Sequence, residues 1–427
     1  MKLFKSSRFG IVLAALALLQ PLFNIRAQID APKTFTVTTD KLENGSLKIT
    51  PPLPDDGKVV AGTVLTVTLT PADGYAVDSG YYSIPGPWGR AYAEFATPEF
   101  QVTVDRNKGI GASFIEKKAL EGFTVTQDVV YSQPGVKKLK YDVFSPLGAK
   151  NLPCIVIIHG GGWTSNTEDI MRGLARELVR GGGYVAISID YRWLGTGDGD
   201  KVPNTMANLI EDVFGAIAHI QEHAKAYGAD ATRIAVTGDS AGGHLSATAI
   251  NMVDKIGDGG FGIKEGIYQF KPTYMPPGKS IEQVRTEMAR AIKAASPTYG
   301  VFGGPLLAGV GSRRGGPAQP EAVVKAIAPQ ENIPNIKDRA VPQYLLRGTN
   351  DPLIQHAGVQ AYADALKAAG QNVVYDQVEG ASHAFFDWKP DAGTKATFAK
   401  YGVPYAAKMK AFFDTVLYPK ASATPRP

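Results

Sequence analysis

The chain has 427 residues, 44% of them hydrophobic and 20% charged, with a formal net charge of +5 and one cysteine. That length holds one large domain plus a smaller one. A lone Cys154 excludes any intramolecular disulfide, and its place in the apolar run 153–158 suits a small buried residue better than a nucleophile.

Lys2, Lys5 and Arg8 precede an apolar stretch from Ile11 to Phe23, and Ala27 with Ile25 two positions earlier suits a signal peptidase. Residues 1–27 are expected to be a secretory signal peptide, because the apolar run is too short and too poorly flanked for a stable membrane span. The protein is accordingly expected to be exported, to a bacterial periplasm or to the medium. Neither a twin arginine nor a nearby cysteine points to twin-arginine export or a lipid anchor. Without Lys2, Lys5, Arg8 and Arg26 the formal charge falls from +5 to +1. No polybasic run remains, which argues against nucleic acid or an anionic membrane as partner.

Residues 28–118 read as a small all-β module. Runs at 34–39, 46–50, 63–70, 100–104 and 111–115 alternate with period two, are rich in Thr and Val, and are separated by Gly, Pro and Asp turns. Tyr81, Tyr82, Trp88 and Tyr92 are expected to be exposed and could stack on sugar rings, although packing is the commoner use of such side chains. The stretch from Asn44 to Phe114, with its run 62–75 and its close at 102–106, resembles a single copy of a bacterial repeat module carried by exported proteins. That resemblance implies a spacer or an interaction role, with a polysaccharide or another protein as partner.

From 119 to about 420 the pattern changes. Strand-like runs at 123–131 and 137–144 form a hairpin around Gln133, Pro134 and Gly135. Strands at 153–158, 184–189 and 233–237 then alternate with helices at 167–180, 205–227 and 241–253, which predicts a mostly parallel sheet with helices on both faces. The Gly- and Pro-rich stretch 254–320, with one helix near 279–295, reads as a cap or lid inserted over the site. Regularity returns with strand 343–347, helix 355–369, strand 373–378 and a final helix near 400–416.

Chemistry enters at Gly238-Asp-Ser240-Ala-Gly242, directly after the apolar run 233–237. A strand that turns sharply through Gly-x-Ser-x-Gly into a helix lifts the serine hydroxyl clear of the sheet as a nucleophile. Six histidines compete for the role of base. His159 opens a glycine turn, His244 lies inside the helix behind Ser240, and His356 stands at a helix start. His219 and His223 match an inverted zinc-peptidase pattern, but they point away from the apolar stripe of their helix and read as a solvated pair with no metal. His383 remains, in a loop just after a strand, with Asp351 just past another. Ser240, Asp351 and His383 stand in the order that a nucleophile, an orienting acid and a base require in this type of sheet. Asp351 could equally cap a helix ahead of Pro352, and Glu379 is the reserve acid. His159-Gly-Gly-Gly-Trp163 also follows a strand; Gly161 and Gly162, with Ala241, are the expected oxyanion donors, and His159 and Trp163 are expected to line the substrate site.

Taken together, 156–163, 188–192, Glu211-Asp212, 233–245, Gly348-Thr-Asn-Asp351 and His383 resemble the esterase/lipase branch of the α/β-hydrolases. That branch holds hormone-sensitive-lipase-like carboxylesterases and bacterial feruloyl or acetyl-xylan esterases. The resemblance implies an α/β-hydrolase fold preceded by a small all-β domain. It also implies hydrolysis of carboxylic esters through an acyl-serine without metal or cofactor. Asp190, Tyr191, Arg192 and Asp212 then read as a structural set behind the loops, a buried ion pair or a hydrogen-bond set. An exopeptidase or amidase of the same fold, and a non-catalytic surface-binding protein, are the competing readings.

Overall fold

The computed structural model describes residues 32–86, 89–264, 266–310 and 319–418; the expected signal peptide lies outside them. The N-terminal part is a β-sandwich. Its strands are β1 (Thr34–Thr39), β2 (Gly45–Thr50), β3 (Lys58–Val60), β4 (Val64–Pro71), β5 (Tyr75–Gly86), β6 (Gly89–Phe95), β7 (Glu99–Thr103) and β8 (Lys108–Glu116). They form a five-stranded sheet in the order β3-β1-β8-β5-β6 and a three-stranded sheet in the order β2-β4-β7. Period two decides the packing: Leu65, Val67 and Leu69 of β4 are buried with Phe100 and Val102 of β7, while the intervening residues face outward.

β5 carries no strong strand signal, because Asp78, Ser79, Gly80, Ser83 and Pro85 are residues of turns. The aromatics here are less exposed than expected. Tyr81 is buried and donates to Asp40 at 2.8 Å, Tyr82 and Tyr92 are half-buried, and Trp88 lies outside the described residues.

The second part opens with β9 (Phe123–Ser132), β10 (Leu139–Pro146) and β11 (Leu152–Ile158), then α1 (Arg172–Val179), β12 (Val185–Ile189), α2 (Met206–His223), β13 (Ala229–Asp239) and α3 (Ala241–Asn251). There follow α4 (Ile281–Ala291), β14 (Ile292–Thr298), α5 (Gly304–Ala308) and α6 (Glu321–Ile327). β15 (Gln343–Gly348), α7 (His356–Ala368), β16 (Val373–Val378), α8 (Ala392–Thr397) and α9 (Val403–Leu417) complete it. The eight strands run β16-β15-β14-β13-β11-β12-β10-β9. β10 is antiparallel to both its neighbours, and the rest are parallel. Every residue of β12 is buried, and so is β11 from Pro153 onward, which requires helices on both faces. Cys154 is buried there and burial pushes its thiol up to about 12, so it is inert packing.

The stretch 254–320 is not simply an insertion. Residues 292–295 belong to β14, a strand inside the sheet between β13 and β15, and helix α4 ends at Ala291. Alanine-rich sequence with Pro297 reads poorly as a central strand. The small side chains have a tertiary reason: α3 packs so closely on β14 that a Cβ on Gly243 would stand 2.6 Å from the Thr298 carbonyl oxygen.

Candidate active site

β13 ends at Asp239 and α3 begins at Ala241, so Ser240 alone turns the chain. It does so at φ 53° and ψ −110°, a backbone that costs a non-glycine residue on the order of 1–3 kcal/mol. The Ser240 N–H donates to the Thr298 carbonyl at 3.0 Å, which ties the turn to β14. Both glycines of the motif are steric requirements. A Cβ on Gly238 would stand 2.5 Å from the Ile158 carbonyl oxygen, and one on Gly242 would run into the same oxygen.

Asp351 follows β15 and His383 follows β16, and their loops converge on Ser240. The His383 Nδ1 lies 2.8 Å from Asp351 Oδ2, and its Nε2 lies 2.9 Å from Ser240 Oγ. An ionised carboxylate only accepts, so Nδ1 carries the hydrogen and Nε2 is left to accept from the serine hydroxyl. Asp351 also accepts from the N–H groups of Leu353 (2.8 Å) and Ile354 (2.9 Å). Burial pushes its carboxyl up, but His383 and those two N–H groups outweigh burial and hold it below its ordinary value. It caps this turn rather than α7, whose N-cap is Gln355. Glu379 is exposed, and the nitrogen it would have oriented is taken by Asp351.

The glycine turn after β11 carries three successive left-handed residues, Gly161 (φ 116°), Gly162 (φ 59°) and Trp163 (φ 64°). It is fastened to the serine turn by Asp239, whose Oδ1 accepts from the Gly160 N–H at 2.6 Å. Sequence reasoning passed over Asp239, although its place beside Ser240 was the available signal. Tyr299 was passed over too: its ring packs 4.9 Å from the His383 ring, and its hydroxyl accepts from the Phe386 N–H.

His159 and Trp163 do not line an open substrate site. His159 is fully buried, stacked on Tyr191 at 4.2 Å, with Nδ1 on the Gly160 carbonyl (2.7 Å) and Nε2 on Asp190 (3.2 Å). Trp163 is buried in the core with its ring edge-on to His244 at 5.7 Å. Both residues shape the loop from beneath. Asp190, Arg192 and Asp212 form the structural set expected of them, with Arg192 Nη2 2.8 Å and Nε 2.9 Å from Asp212. Burial raises the Asp212 carboxyl to about 6, against the pull of Arg192.

His219 is not solvated. It is buried, bonded to the Tyr141 hydroxyl at 2.8 Å and stacked on half-buried His223 at 4.1 Å. Tyr274, from beyond α3, closes over it at 4.6 Å, a contact that helical periodicity cannot foresee. His356 is exposed. Among the described residues, Asp128, Asp142 and Glu168 lie close enough to share an ion, but the Lys140 ammonium already bridges Asp128 and Glu168.

Two family matches now carry weight. Residues 141–258 match the BD-FAE family, and residues 283–417 match the dienelactone hydrolase family. The chain has the α/β-hydrolase fold and is similar to esterases of that fold. The two matches of this α/β-hydrolase cover β11 to β16 and the loops that carry Ser240, Asp351 and His383. The chain is 27% identical over 245 residues to the probable carboxylic ester hydrolase LipM of Mycobacterium tuberculosis, covering 55% of this chain and 49% of that one. It is 35% identical over 112 residues to the carboxylesterase NlhH of the same species, covering 26% of this chain and 33% of that one. The α/β-hydrolase thus spans about half the length, or less, of these curated relatives. The solved structure of Thermogutta terrifontis esterase 2 phosphoramylated by tabun superposes with a TM-score of 0.50 at 24% identity. It covers 70% of this chain and 97% of that one, and shows the fold. Among the described residues no helix is long and apolar enough to cross a membrane.

Proposed function

We propose that this α/β-hydrolase is a serine carboxylesterase. The observation that carries the reading is the unbroken chain from Ser240 Oγ through His383 to Asp351, at 2.9 and 2.8 Å. Ser240 attacks the ester carbonyl as His383 Nε2 takes its proton, and Asp351 stabilises the imidazolium that forms. The oxyanion is met by the N–H groups of Gly161 and of Ala241 at the first position of α3, where the helix has no internal acceptor for it. The N–H of Gly162 is the further donor of the same turn. His383 returns the proton to the departing alcohol, and a water repeats the sequence on the acyl-serine.

For the substrate class, the names of the curated relatives support an ester over an amide. Export and action on esterified carbohydrate, feruloyl or acetyl, rest on residues 1–27 and on the appended β-sandwich; the buried Tyr81 lends the carbohydrate reading no support. The test is hydrolysis of p-nitrophenyl acetate beside a matched p-nitroanilide and feruloylated or acetylated oligosaccharides. Rapid ester turnover that Ser240→Ala abolishes, with the fold retained, is expected. Full activity in Ser240→Ala, or a preference for the anilide, would refute the assignment.

A further inference from the structure

Asp78 belongs to β5 of the sandwich, yet its buried carboxylate is held by groups of the hydrolase domain. Oδ1 meets Arg176 Nη1 at 2.8 Å and Arg172 Nε at 3.3 Å. Oδ2 accepts from the Trp388 indole N–H at 2.9 Å and from Ser113 at 3.1 Å, with Lys395 Nζ at 3.5 Å. Glu94 of β6 takes Arg172 Nη2 at 2.5 Å. Two carboxylates of the sandwich thus face three cations of the hydrolase domain, with Asp78, Arg172 and Arg176 buried and Glu94 and Lys395 half-buried. Burial alone would push the Asp78 carboxyl up; Arg172, Arg176 and Lys395 instead hold it well below the ordinary range. A surface spacer would not need this.

The indole that Asp78 grips lies five residues past His383. Its ring lies against Gly173 of α1, where a Cβ would stand 2.7 Å from it, and its backbone N–H donates to the Ile170 carbonyl at 2.9 Å. The loop is tied upstream by the Asn350 N–H to the Ala381 carbonyl (2.9 Å) and by the Gly380 N–H to Thr349 Oγ1 (2.8 Å). Between the two attachments, next to His383 itself, Ala384 holds φ 63°. A residue with a β-carbon keeps such a backbone only where its surroundings fix both sides.

We propose that Asp78 is a positioning residue for His383: by fixing Trp388 it holds the histidine loop in the register that sets Nε2 against Ser240 Oγ. The β-sandwich is then part of the catalytic frame. This rests on the reading of Ser240, Asp351 and His383 as a catalytic triad.

The test uses the full chain and two variants, Trp388→Phe, which removes the indole N–H and keeps an aromatic ring, and Asp78→Asn. The readouts are kcat and KM for p-nitrophenyl acetate across about pH 5 to pH 9, the rate at which a fluorophosphonate labels Ser240, and near-ultraviolet circular dichroism. Trp388→Phe is expected to lose about 10–100-fold in kcat with KM within about twofold. Its labelling rate should fall in parallel, and the acidic limb of its kcat/KM profile should move. A natively folded Trp388→Phe chain with unchanged kcat, labelling rate and limb overturns the proposal, as does a folded, fully active Asp78→Asn. Should Asp78→Asn not fold, Trp388→Phe decides alone. A wild-type chain that neither cleaves the ester nor labels at Ser240 overturns the triad reading, and this one with it.

Discussion

Asp239 joins two loops through one hydrogen bond, and it stands where the motif places no constraint. Its carboxylate accepts from the Gly160 N–H and so fixes the start of the glycine turn beside Ser240. Asp239→Ala is expected to lower kcat by about 100-fold, with a smaller effect on KM, as steady-state kinetics would show. Asp351→Asn leaves the loop in place but gives His383 the wrong hydrogen-bond partner, and a loss of about 10⁴-fold in kcat is expected. Gly242→Ala sets a methyl group fixed to the helix backbone against the Ile158 backbone carbonyl, where neither can give. It should destabilise the protein by more than about 2 kcal/mol in urea unfolding, beyond its effect on activity.

Elements meet the active site from behind as well. The Arg192–Asp212 pair ties the loop after β12 to α2, and the Asp212 carboxylate has no exposure of its own. Arg192→Ala would leave it buried and unpaired, a loss of about 3–5 kcal/mol measurable as a shift in the denaturation midpoint. Helix α3 carries His244, whose Nε2 donates to the Ile327 carbonyl at 2.9 Å and whose complete burial lowers its pKa to about 4. Between about pH 6.5 and pH 4 the unfolded chain binds a proton at this residue and the folded chain does not. Its contribution to stability therefore rises with pH in that window and is lost as pH falls. Asp142, raised by burial to about 7, acts with the opposite sign over much of the same range, so only a difference isolates His244. The stability gap between wild type and His244→Gln should shift against wild type by about 3 kcal/mol from pH 7 to pH 4, read by urea titration. A constant gap would count against a neutral, buried His244.

At the scale of the whole molecule, the ionic cluster around Asp78 joins sandwich and hydrolase domain through groups that neither part could leave buried alone. One cooperative thermal transition is expected in differential scanning calorimetry. Two resolved peaks would show that the parts unfold independently.

What the sequence determined by itself is local. Period-two runs marked five of the eight sandwich strands, and alternating strands and helices marked the parallel sheet. Ser240, Asp351 and His383 were legible because each sits just past a strand, where chain order and chemistry coincide. Only the tertiary structure decided the rest. β14 is a strand because β13 and β15 leave a gap for it, against its own alanine-rich propensity. His159 and Trp163 went into the core because the loop they flank folds over them. His219 was covered by Tyr274, and Asp78 was buried by Arg172, Arg176 and Trp388, partners at least 55 residues away in sequence whose effect no local pattern carries.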